Sequence, residues 1–260
     1  MHWLFITILI YLYVAIATPV LAGITMVFAL CGDRTGRIWW PVSRFWAYGL
    51  VKSGGVTKIR TEGIKRIHDQ SYGGVLMSNH ASHLDPPMFI YLSKHYPLHF
   101  LVKHTLFYFP VFGQSLWAMG HIYVNRSKRA DAFQSLDKAA ASIAEGKRIY
   151  VFPEGTRTND GSLGPFKKGG FHLAIKAKVP ILPAGIAGTF EILPPGIRSK
   201  GMGPVAVVFG EPIPTNEYTL ENKDELIQRV HSEIQHLKSR ADEIRLEMLS
   251  EKDGGKNQFQ

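Results

Sequence analysis

Gly74-Val75-Leu76-Met77-Ser78-Asn79-His80-Ala81-Ser82-His83-Leu84-Asp85-Pro86 passes from a short apolar run straight into a segment dense in groups able to exchange protons. The apolar part, Gly74 to Ser78, has the length and composition of a buried strand. A second stretch repeats the arrangement: Arg148 to Phe152 reads as a strand and leads directly into Pro153-Glu154-Gly155-Thr156-Arg157. Working outward, Leu98 to Val102, His121 to Asn125, Ile181 to Ile186 and Val205 to Phe209 are further short apolar runs of strand length. Helical periodicity lies between several of them. It is clearest over Asp131 to Glu145, where Phe133, Leu136, Ala140 and Ile143 share one face and Gly146 is placed as the stop. Strands alternating with helices predict an α/β fold, a layered mixed sheet flanked by helices. The last helix, near Asn222 to Leu249, carries Leu226, Val230, Ile234, Leu237, Ala241, Ile244 and Met248 at spacings of three and four, a packing face.

The chain has 260 residues and a formal net charge of +9, enough length for one core and a charge that implies an anionic partner: nucleic acid, an anionic bilayer or a phosphorylated substrate. Its one cysteine, Cys31, excludes a disulfide framework. From Trp3 to Cys31 there is no Asp, Glu, Lys or Arg, and at about 1.5 Å per residue this run exceeds the roughly 30 Å hydrocarbon core of a bilayer. Pro19, near its middle, leaves two arrangements open, one tilted span or two short helices re-entering one leaflet. Arg34, Arg37 and Arg44 interleave with Trp39, Trp40 and Trp46, the mixture expected at a headgroup boundary, although core aromatics in a solvated loop give the same string. Basic residues follow the apolar run rather than precede it, which places the rest of the chain on the cytoplasmic face of the membrane. The expected organisation is a membrane anchor and interfacial segment at 1–52, a catalytic domain at 53–249 and a disordered polar tail at 250–260.

An imidazole near neutral pKa takes a proton from an alcohol, and a carboxylate a turn away fixes its tautomer and stabilises the imidazolium. His80 and Asp85 have that relation, with the nucleophile left to the substrate. Two other readings fit these residues alone. One is a strand-end turn capped by Asn79 and Ser82 with His80 hydrogen-bonded in the core; the other takes His80, His83 and Asp85 as metal ligands. No further His or Cys stands at a recognised zinc spacing. In the second cluster Gly155 permits close backbone approach to a ligand, and Arg157 offers a planar fork for phosphate. Phe166-Lys167-Lys168-Gly169-Gly170 then adds two cations before a helix beginning near Phe171.

Four blocks in order resemble the glycerophospholipid acyltransferases, most closely the 1-acyl-glycerol-3-phosphate (lysophosphatidate) acyltransferase branch. They are Asn79-His80-x4-Asp85, Gly120-His121-Ile122-Tyr123-Val124-Asn125-Arg126, Phe152-Pro153-Glu154-Gly155-Thr156-Arg157 and Val179-Pro180-Ile181-Leu182-Pro183. Lys103 to Gly113 is similar to the family's stretch before its second block. Asn125 departs from the Asp that many members carry there. The resemblance implies a glycerolphosphate acyltransferase-like fold, with His80 as general base, Asp85 as its orienting carboxylate, and Arg126, Glu154, Gly155 and Arg157 in acceptor binding. Asn79, Lys103, Thr156 and Lys168 join them as candidate substrate-binding residues. The implied partners are lysophosphatidate, acyl-CoA or acyl carrier protein as donor, and membrane phospholipids, with no cofactor and no nucleic acid. A thioester is already activated, so no Ser or Cys nucleophile is needed.

Overall fold

The structure, a computed structural model, describes every residue except 1, 34, 70–72, 125–128, 197 and 255–260. In chain order its elements are α1 (His2–Leu30), α2 (Trp39–Ser53), β1 (Val56–Glu62), α3 (Lys65–His68), β2 (Val75–Ser78), α4 (Asp85–Leu92), β3 (Leu98–Lys103), a 3-10 turn (His104–Tyr108), α5 (Phe112–Ala118), β4 (Ile122–Val124), α6 (Arg129–Ala144), β5 (Arg148–Val151), α7 (Gly169–Ala177), β6 (Ile181–Ala187), α8 (Thr189–Ile192), β7 (Gly203–Phe209) and α9 (Lys223–Gly254). The strands lie in the order β1-β7-β6-β2-β5-β3-β4. β6, β2, β5, β3 and β4 run parallel, while β7 pairs antiparallel with β6 and parallel with β1, so the sheet is mixed as the alternation predicts.

Helices cover both faces. One core joins Trp39, Trp40 and Val51 from α2, Leu84 just before α4, Phe89 from α4 and Leu116 from α5 to the sheet residues Leu76, Phe100, Tyr150 and Val207. The other joins Ala139, Phe171, Leu226, Val230 and Ile234 from α6, α7 and α9 to Val75, Met77, Ile149 and Ile181. Alternate residues of β2 thus enter opposite cores, and its four residues are all buried, which is why a central parallel strand reads as a continuous apolar run. β1 escapes that reading because it is an edge strand in which Lys58, Arg60 and Glu62 stand in an exposed to half-buried row.

The N-terminal region decides between two open arrangements and corrects one expectation. α1 runs unbroken through Pro19, since one proline removes a single helical hydrogen bond from a long helix. It folds back on α2, where Trp46 donates from its indole to Thr18 Oγ1 at 3.0 Å and Tyr13 donates to the Trp46 carbonyl at 3.0 Å. Trp39 and Trp40 are core residues, 2% and 3% exposed, with their indole N–H groups on the carbonyls of Asp33 and Ser93. The exposed apolar surface lies instead on α1, among Phe5, Leu12, Ile16 and Val20, and on Phe45, Tyr108, Phe109 and Trp117. α1 is long and apolar enough to cross a membrane, and little of it is buried in the fold. At the other end α9 continues to Gly254, past residue 249, because Glu251 pairs with Lys58 and Arg60 on β1.

Candidate active site

β2 and β5 are parallel neighbours, so their C-terminal ends open at one edge of the sheet, the place where α/β folds bind ligands. At the end of β2 the Asn79 side chain replaces the backbone in the ladder. Its Nδ2 donates to the Ile186 carbonyl and its Oδ1 accepts from the Ile186 N–H, both at 2.9 Å. With the pairing to β6 completed by an amide side chain, the main chain is released to turn. Asp85 ends that turn as the first residue of α4. Its carboxylate is 0% exposed, and Oδ2 accepts from Ala81 N and Ser82 N at 2.8 Å each and from His80 Nδ1 at 2.9 Å. Oδ1 accepts from Thr189 Oγ1 at 2.6 Å. Four donors and a helix N-terminus offset the burial of a charge.

Because a carboxylate only accepts, His80 Nδ1 carries the proton and Nε2 is the basic nitrogen. The ring stacks on Phe152, with centroids 3.8 Å apart and 17° between planes. Its backbone is tied to the second cluster on both sides: His80 N donates to Glu154 Oε1 at 2.6 Å, and Thr158 N donates to the His80 carbonyl at 3.0 Å. Glu154, 4% exposed, also accepts from Gly164 N at 2.8 Å. Burial raises its pKa from 4.5 to about 7, against the opposing effect of these two N–H groups. Both Glu154 oxygens are engaged with backbone, so the carboxylate fastens the loops that carry the site. Gly155 takes a left-handed conformation, φ +76°, in a turn closed by its N–H on the Phe152 carbonyl at 3.0 Å.

Arg157 crosses back to the first cluster. Its Nη1 contacts His83, 2.6 Å from Nε2. Burial first, and then the Arg157 charge, lower the His83 pKa to about 4, so its ring is neutral near pH 7. His83 therefore faces Arg157 while His80 faces Asp85, and among the described residues no group of three or more His, Cys, Asp or Glu gathers around a common point.

His80, His83, Gly155, Thr156 and Arg157 line a cavity of about 1180 Å³. It extends between α1, α2 and α5 over apolar side chains such as Leu21, Leu50, Phe112 and Leu116, and Lys103 lies on its wall. A smaller cavity of about 520 Å³ is lined mostly by polar residues of the 154–167 segment and shares Thr156, Arg157 and Lys167 with the first. Lys168 lines neither; its ammonium is 3.0 Å from Asp224 Oδ1. Arg126 and Asn125 lie outside the described residues. Sequence reasoning missed Thr189, the one donor to Asp85 Oδ1 among the described residues. The available signal was its position: Gly188-Thr189 follows β6 as His80 follows β2 and Glu154 follows β5.

Comparison with known proteins agrees with the geometry. A model of the acyltransferase family matches residues 58–187, half of the chain. A 1-acyl-sn-glycerol-3-phosphate acyltransferase of Limnanthes douglasii is 32% identical over 187 residues, 72% of this chain and 63% of that one. The chloroplastic enzyme BAT2 of Brassica napus is 35% identical over 159 residues, 60% and 45%. The human alpha enzyme of the same name is 33% identical over 159 residues, 60% and 55%. The chain thus spans about half the length of the curated relatives it matches. The crystal structure of the 1-acyl-sn-glycerophosphate acyltransferase PlsC from Thermotoga maritima superposes with a TM-score of 0.77 over 92% of this chain and 95% of that one, at 23% identity, and shows a shared fold. Because the family match covers half of the chain and includes His80, Asp85, Glu154 and Arg157, the chain belongs to the acyltransferase family.

Proposed function

We propose that the protein transfers a fatty acyl group from acyl-CoA or acyl carrier protein to the sn-2 hydroxyl of lysophosphatidate, producing phosphatidate. The observation that carries this reading is the His80–Asp85 pair at the head of a large apolar cavity, with the half-buried cation of Arg157 beside it. The apolar part of such a space suits an acyl chain, and Arg157 suits a phosphate. Acyltransferase relatives of lysophosphatidate specificity support the same choice.

In the mechanism, His80 Nε2 accepts the proton of the sn-2 hydroxyl as its oxygen attacks the thioester carbonyl. The Asp85 carboxylate stabilises the imidazolium that results. Collapse of the tetrahedral intermediate breaks the carbon–sulfur bond, and the imidazolium returns the proton to the departing thiolate. Phe152 stacking and the fixed His80 backbone hold the ring in one orientation, the main requirement when the donor is already activated. Arg157, Thr156 and Lys103, with Arg126, are proposed to bind substrate; Asn79, Glu154 and Gly155 act by holding the loops, and Lys168 has the weakest case because Asp224 engages it.

The test is turnover of a purified preparation offered labelled lysophosphatidate and other lysophospholipids with each donor type. His80→Ala is expected to retain the fold and lose on the order of 10² to 10⁴ in rate. Near-normal turnover in the folded variant removes the mechanism. We further propose that residues 1–52 attach the chain to a membrane with 53–249 on the cytoplasmic face and a polar tail beyond. Removal of residues 1–31 should then release the protein from membranes washed in high salt, and continued pelleting would count against the anchor.

A further inference from the structure

His83 takes no part in the proton transfer just described, although it sits two residues from Asp85 and lines the large cavity. Its partner is 74 positions away: Arg157 Nη1 contacts both ring nitrogens of His83, Nδ1 and, at 2.6 Å, Nε2. Among the described residues this imidazole is the only hydrogen-bond partner of the Arg157 side chain. A guanidinium has five N–H groups, so a single occupied nitrogen leaves the rest of the fork available. The Gly196 backbone, in the loop after α8, also acts on this ring, opposing the fall in its pKa. Three segments of the fold therefore converge: the turn after β2, the loop after β5 and the loop after α8.

We propose that His83 is the positioning residue for Arg157, accepting its Nη1–H and thereby directing the remaining N–H groups toward the phosphate of the acceptor. This rests on the reading of Arg157 as the phosphate-binding group. The physical basis is preorganisation. A long arginine side chain that is ordered before the ligand arrives does not lose its rotamer freedom on binding, and for such a side chain that loss weakens binding by a factor of roughly 2 to 10. His83 touches neither the hydroxyl nor the thioester, so its effect falls on acceptor affinity rather than on the chemical step.

Three substitutions separate this role from simple packing. His83→Gln keeps an acceptor for Arg157 and a donor for the Gly196 region. His83→Phe keeps the ring but has no acceptor, and His83→Ala keeps neither. Steady-state kinetics on the full-length protein, with lysophosphatidate and acyl donor varied in turn, should show KM for lysophosphatidate raised roughly 2- to 10-fold in the Ala and Phe variants. KM for the donor and kcat should change little, and Gln should restore acceptor KM toward the parent value. Rescue by Phe but not by Gln would show a packing role and overturn the proposal, as would unchanged acceptor KM in His83→Ala or equal increases for both substrates. If the parent protein turns over a lysolipid lacking phosphate as well as it does lysophosphatidate, the phosphate reading itself fails and the clamp falls with it. That outcome is distinguishable because it appears before any substitution is made.

Discussion

Replacing Thr189 by Val removes one hydroxyl and keeps the side-chain shape, which isolates a single hydrogen bond beneath the site. Thr189 Oγ1 donates to Asp85 Oδ1 at 2.6 Å, and the two residues are 2% and 0% exposed. Oδ2 retains three donors after the change, from His80, Ala81 and Ser82, whereas Oδ1 retains none among the described residues. A hydrogen bond to a charged group contributes about 1.5–3 kcal/mol, and here its loss leaves a buried carboxylate oxygen unsatisfied. For a chain of this size each kcal/mol lowers the melting temperature by about 2–4 °C, so Thr189→Val should melt about 3–12 °C below the parent. Because the His80 bond is on the other oxygen, kcat should fall by less than about tenfold, far short of the 10²- to 10⁴-fold typical of losing a general base. Thr189→Ser should restore both quantities. Thermal melts in detergent micelles and acyl transfer on the same preparations supply the test. If Thr189→Val melts within about 1 °C of the parent, the hydroxyl does not support Asp85 as described. A rate loss as large as that of His80→Ala would show that Thr189 acts in the chemistry itself.

Two further outcomes follow from the burial of Glu154 and of Gly185. Glu154 has a folded pKa of about 7, above its usual 4.5, so between these values the folded state holds a proton that the unfolded state has released. Its contribution to stability is complete below about pH 4.5 and is lost as pH rises to 7, to a total on the order of 3 kcal/mol. Glu154→Gln cannot titrate, and chemical unfolding from pH 4.5 to 7.5 should show a flatter profile than the parent; parallel profiles would contradict the shift. Gly185 in β6 lies directly beneath the Leu237 and Lys238 backbone of α9, where an added Cβ would overlap both. Gly185→Ala should therefore cost about 1–3 kcal/mol or more through overpacking, read from denaturant midpoints, and an unchanged midpoint would mean that α9 shifts freely.

The strands, the α/β class and the proximity of His80 to Asp85 were legible because each rests on local information. A central strand buried on both faces is a continuous apolar run, as β2 and β5 are, and a His and an Asp five residues apart meet within one turn. The edge strand β1 was not legible, since its alternation is filled by cations and carboxylates that meet α9 only after folding. Trp39 and Trp40 read as headgroup aromatics because composition beside an apolar run does not say which face of α2 turns inward; packing on α4 and the sheet settles that.

The sequence by itself determined which groups are chemically able to act: an imidazole beside a carboxylate, an arginine shortly after a glycine, and an uncharged run as long as a bilayer is thick. Only the tertiary structure decided which of them meet. The strand order sets β2 between β5 and β6, and this places Glu154 and Thr189, 74 and 104 positions from their partners, against His80 and Asp85. It likewise turns Lys168 to Asp224 and leaves Lys167 on the cavity wall, a choice between adjacent lysines fixed by where the α7 N-terminus points. Such pairings depend on side-by-side strand ends rather than on neighbouring residues, so no local pattern in the chain encodes them.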